Sequence, residues 1–130
     1  MKIYRVERVG ALMVTTVYIR GPQSVAYTLL MIDTGSTYTI IRTKLLEDIG
    51  YTPASATVYR RIVTASKYER LPVVKVEQLN CLGTFMKDFN VLAHTLPQGI
   101  PVDGLLGMDF LQRFPIELRP YRGEVVLRKK

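Results

Sequence analysis

A chain of 130 residues with 48% apolar side chains carries enough hydrophobic surface for its own core, which excludes a disordered polypeptide. Eighteen Lys and Arg against 11 Asp and Glu give a net charge of +7, and no run approaches the roughly 20 apolar residues of a spanning helix. The lone Cys81 excludes an internal disulfide, and the charged N-terminus has no apolar leader, so one cytoplasmic domain over residues 1–130 with no membrane partner is expected.

Residues 3–9 and 12–19 alternate around Gly10, which predicts a hairpin. Residues 27–32 read as a strand that runs into Asp33-Thr34-Gly35-Ser36, and residues 39–41 continue beyond it. Thr43 reads as the N-cap of a helix through Leu45, Leu46 and Ile49, with Gly50 as its stop. Further strands are predicted over 58–63, 73–79 and 85–92, divided by polar or glycine-containing turns. Residues 102–106 form a short buried strand, with Asp103-Gly104 read as a turn, before a helix over 108–113. Residues 116–118 and 125–127 close the chain as a hairpin around Tyr121-Arg122-Gly123. Short strands at this spacing indicate a mainly β, closed barrel-like fold with one or two short helices.

The chemistry concentrates at Asp33. A carboxylate leaves a buried strand directly before Thr-Gly-Ser, where Thr34 and Ser36 can hydrogen-bond it and Gly35 removes a Cβ that would keep other backbone away. Alone, the tetrapeptide is also ordinary turn chemistry. A second segment, Leu105-Leu106-Gly107-Met108-Asp109-Phe110-Leu111, follows about seventy residues later. The two together, in this order, resemble the retropepsin-like aspartic proteases, the single-domain relatives of retroviral protease, over nearly the whole chain.

The resemblance implies an aspartic endopeptidase with Asp33 as the catalytic acid, a peptide or protein substrate, and neither metal nor cofactor. Two carboxylates sharing one proton can hydrolyse a peptide bond, one taking a proton from water while the other polarises the carbonyl. A chain with one Asp-Thr-Gly supplies one acid, so a homodimer with the site on its two-fold axis is implied. By the same resemblance Thr34 braces the two loops across the interface. Gly35 admits substrate, and Ser36 hydrogen-bonds an outer carboxylate oxygen. Leu105, Leu106 and Gly107 pack beneath the loop.

A flap over the substrate is expected between Val58 and Val76, with Thr64, Ala65, Ser66 and Lys67 at its tip. The tip lacks the glycine that family flaps carry. Thr37 and Met108 stand where retroviral members have an Asp and an Arg, so that ion pair is missing; Asp109 is expected instead to cap the short helix or pair with a basic neighbour. The basic ends (Lys2, Arg5, Arg128, Lys129, Lys130) would repel if brought together as in retroviral dimers, which leaves the subunit contact open.

Two other readings stand beside the protease. A non-catalytic dimeric interaction module of the same fold is one, favoured by the glycine-free flap and opposed by the intact Asp-Thr-Gly-Ser. A basic β-barrel that binds nucleic acid is the lesser one, resting on Arg60, Arg61, Lys67 and Arg70 with Tyr59 and Tyr68. The lone His94 and Cys81 offer no zinc-ligand spacing, and Cys81 reads as a small core residue.

Overall fold

The computed structural model describes residues 1–63, 67–97 and 99–128. The chain opens with β1 (Lys2–Arg5) and β2 (Glu7–Val9), so the strand expected over 3–9 is in fact two. It breaks at Val6, whose N–H donates to Gly123 O at 2.8 Å. The break lets β1 join β11 (Glu124–Leu127) and β10 (Ile116–Arg119) in a three-stranded antiparallel sheet. Meanwhile β2 turns at Gly10 (φ +61°) and pairs with β3 (Leu12–Arg20).

The larger sheet is a ring. Strand β3 pairs with β4 (Val25–Ile32), which runs parallel to β9 (Gly104–Leu106). Next comes β5 (Ile40–Arg42), parallel to β8 (Thr84–His94), and β8 pairs with the long β7 (Tyr68–Cys81). The end of β7 returns to β3, with Val17 opposite Cys81, and closes the barrel-like circuit. Beyond it, β6 (Tyr59–Val63) pairs with the start of β7 and forms the outer edge.

Inside the ring the alternating residues of these strands meet. Val17, Ile19, Leu30, Ile41, Val76, Leu79 and Leu106 are fully buried around Phe110. Phe110 sits edge-on to Phe89 at 6.5 Å and tilted against Phe114 at 5.6 Å, geometries that suit the aromatic quadrupole. A second, smaller cluster of Ile40, Leu71 and Leu92 gathers Tyr38, Ile62, Val73 and Leu105.

The helices correct the expected caps. Helix α1 (Thr43–Asp48) starts at Thr43 itself, and Arg42, in the capping position, makes no side-chain cap. Its end follows expectation: Gly50 takes φ +108°, and the Tyr51 N–H reaches back to Leu46 O at 3.0 Å. Helix α2 (Met108–Leu111) is shorter than the expected 108–113. Strand β9 also starts later than expected, because Asp103 is spent on side-chain contacts described below. No helix of the described residues is long and apolar enough to cross a membrane.

Candidate active site

Strand β9 lies between β4 and β5, the two strands that flank the Asp33 loop. Met31 stands opposite Leu105 and Ile32 opposite Leu106 on one side, and Ile40 opposite Leu105 on the other. The ladder extends one residue past β4: the Asp33 N–H donates to Leu106 O at 3.0 Å. Asp33 is therefore fixed in backbone before its side chain makes any contact.

Within the loop, Gly35 N–H donates to Asp33 Oδ1 at 2.9 Å, and Ser36 N–H donates to Asp33 O at 3.2 Å. One carboxylate oxygen is thus held inward, and the half-buried Asp33 keeps its other face open. Thr34 and Gly35 are exposed on the single chain, and a Cβ added to Gly35 would meet only Asp33 Oδ1, at 3.2 Å. The Ser36 hydroxyl donates to Tyr38 O at 2.7 Å, and so is engaged away from the carboxylate that the resemblance assigned to it.

The second segment grips this loop from below. Met108 N–H donates to Ser36 O at 2.7 Å and Asp109 N–H to Thr37 O at 3.1 Å. Leu106 is fully buried, and Leu105 packs into the smaller apolar cluster. Gly107 is buried where a Cβ would fall 2.5 Å from Tyr38 O and 2.9 Å from Ser36 O. Both neighbours are backbone, so no side chain could give way. Leu105, Leu106 and Gly107 are thereby brought directly against the Asp33 loop.

Sequence reasoning missed the buried tie that completes the grip. Among the described residues Asp109 neither caps α2 nor pairs with a base; its Oδ1 accepts from Thr39 Oγ1 at 2.7 Å and its Oδ2 from Thr39 N–H at 2.9 Å. Thr39 Oγ1 in turn accepts from Gly107 N–H at 3.1 Å, and Thr39 is fully buried. Asp103, read as a turn residue, bridges two strands instead. Its Oδ2 accepts from Leu29 N–H at 2.9 Å, while Arg42 Nη2 donates to Val102 O at 2.9 Å beside it. The available signal was an acid two residues past Gly107 and a threonine six past Asp33, but nothing in spacing pairs them.

The expected flap corresponds to the β6–β7 hairpin, paired from Tyr59 opposite Pro72 to Val63 opposite Tyr68. Thr64, Ala65 and Ser66 lie outside the described residues. Lys67 is described, and its Nζ lies 3.4 Å from Glu69 Oε1. Ile62 and Leu71 point from the hairpin into the cluster that holds Tyr38 and Leu105, so this hairpin packs directly beside the Asp33 loop.

Comparison with known proteins agrees with this architecture. The family model for aspartyl proteases matches residues 15–110. The chain is similar to the crystal structure of a retropepsin-like aspartic protease from Rickettsia conorii, with a TM-score of 0.71 and 17% identity over 97% of this chain and 88% of that one. At such identity the likeness is one of fold: mainly β and retropepsin-like. No curated protein matches the chain.

Proposed function

The chain belongs to the aspartyl protease family, and on that premise we propose that it is an aspartic endopeptidase active as a homodimer, each copy contributing one Asp33. The observation that carries the reading is the Asp33 loop itself. One carboxylate oxygen is held inward by Gly35 N–H, the other side is open, and the residues next to it are uncovered on one chain.

In the dimer a second Asp33 meets the first across a two-fold axis, and Thr34 becomes covered by its counterpart. Two carboxylates at close range share a single proton, because both cannot ionise cheaply together. The ionised one takes a proton from a water molecule held between them. The resulting oxygen nucleophile attacks the scissile carbonyl while the protonated acid gives its proton to the carbonyl oxygen. Collapse of the tetrahedral diol returns that proton, transfers the other to the leaving nitrogen and breaks the C–N bond. Gly35 keeps the approach to the acids free of side chain, and the β6–β7 hairpin covers the bound peptide.

A peptide-library digest between pH 3 and 8 tests this directly. Wild type is expected to cleave with an acidic to near-neutral optimum, and Asp33→Asn to lose at least about a thousandfold in rate, as expected when an essential catalytic group is removed. Equal cleavage by both proteins ends the reading. Sedimentation of an active preparation as a strict monomer removes the dimer from it.

A further inference from the structure

Beside the Asp33 loop, a cavity of about 300 Å³ opens between Tyr38, the hairpin and the outer face of β8. We propose that this cavity is a substrate subsite for a side chain bearing a carboxylate, an inference that rests on the endopeptidase reading above.

Its floor is apolar, made of Val73 and Leu92 together with Phe89. Val73, Leu92 and Tyr38 belong to the cluster shared with Ile40 and Leu105, the residues that flank the catalytic loop. The cavity is therefore continuous in packing with the element that carries Asp33. Its rim is cationic: Arg60, Lys87 and Arg113 line it against Asp88 and Asp109. Asp109 is already committed, since both of its carboxylate oxygens accept from Thr39. Those donors are neutral, so Asp109 keeps its charge, and the lining carries three cations against two acids, a net positive rim.

Strand alternation explains why Arg60 is the selective residue. On β6, Arg60 stands opposite Leu71 and two residues from Ile62, both packed towards the body. Arg61 points the other way, stacks over Tyr68 at 4.8 Å and does not line the cavity. The only hydrogen bond that Arg60 makes within the described residues is from Nη1 to the neighbouring Tyr59 O, at 3.2 Å, which leaves most of its donors free. Arg113 is held over Phe89 at 5.1 Å with Nε donating to Asp109 O, so its remaining donors stay at the rim. A planar guanidinium with free donors matches a carboxylate better than any neutral side chain does.

The test compares matched peptides that differ only by Glu, Gln or Lys at each position around a cleaved bond. Wild type is expected to prefer Glu at one position by roughly ten- to a hundredfold in kcat/KM, the range of one charge-assisted hydrogen bond. The preference should weaken as salt rises. Arg60→Gln should bring the ratio close to one, Arg60→Glu should reverse it in favour of Lys, and Arg61→Gln should leave it as in wild type. Cleavage without an acidic preference overturns the subsite and leaves the protease standing, as does a preference that survives Arg60→Gln and Lys87→Gln. If no peptide is cleaved, the protease reading fails on its own. Fluorescence anisotropy of the labelled Glu and Gln peptides then decides the subsite: equal binding of the two overturns it, and a Glu preference lost in Arg60→Gln alone sustains it.

Discussion

The Asp33 loop and the β6–β7 hairpin share one apolar cluster but are anchored in opposite ways. The loop is held by backbone bonds to Leu106, Met108 and Asp109, and by the carboxylate of Asp109 on the buried Thr39. Within the described residues the hairpin has an outer edge strand, β6, paired on one side only, and reaches the body through Ile62 and Leu71 and through Glu69, whose Oε2 lies 3.4 Å from His94 Nε2. An acid that must meet a reacting atom needs a fixed backbone, whereas a cover over substrate needs a low cost of displacement. The difference in anchorage is what the proposed endopeptidase would require of its two parts.

The largest loss is expected on the fixed side. Gly107→Ala drives a Cβ into the backbone of Tyr38 and Ser36, and should cost at least ~3 kcal/mol in urea unfolding. Gly10→Ala is the matched control: it has φ +61° but no atom within 4 Å, so it should cost only about 1 kcal/mol of backbone strain. Similar losses at the two glycines would remove close backbone approach as the reason for Gly107.

Asp109→Ala comes next. It strips the acceptor from the Thr39 amide and hydroxyl in a buried place and should cost about 2–3 kcal/mol, with Asp109→Asn milder because one acceptor oxygen remains. Chemical denaturation of the three proteins ranks them, and an alanine variant as stable as wild type would mean that the tie carries no weight.

Ile62→Ala sharpens the contrast from the other side. Truncating this half-buried contact should cost ~1–2 kcal/mol, read by hydrogen exchange as faster amides in β6. The amides of Asp33 and Met108 should keep their protection. Joint loss at both places would show that the hairpin and the loop do not open independently.

The effect that vanishes at neutral pH lies at the far end of β7, where the strand closes the ring. Burial pushes the Cys81 thiol up to about 12 from its ordinary 9.0, and burial also raises Tyr51. The folded state thus keeps protons that the unfolded chain gives up. This stability is fully present below pH 9 and falls as pH rises towards 12. Melting temperatures measured across that window should decline, and Cys81→Ala should flatten the decline while leaving the part due to Tyr51.

Much of this was legible in the chain. The alternation of residues 12–19 gave β3, the run into Asp-Thr-Gly-Ser gave the end of β4, and Gly50 gave the stop of α1. The pairing of the two motifs brought Leu105, Leu106 and Gly107 to the Asp33 loop before any coordinate did. The misses have a common character. The N-terminal strand splits at Val6 because two different sheets claim its halves. Thr43 stands inside its helix rather than at the cap. Asp103 and Asp109 look like local turn and cap residues, yet they accept from Leu29 and Thr39 across 74 and 70 positions.

The order of amino acids thus sets local features: which face of each strand is apolar, where the chain must turn, and which acid stands free of bulk. Tertiary structure alone decided which strand lies beside which, what the Ser36 hydroxyl donates to, and that Arg60 and Arg61 face opposite ways. The physical reason is that side-chain pattern encodes burial, which is a property of one position. A hydrogen bond between distant residues depends on register and backbone approach, and these exist only once the ring has closed.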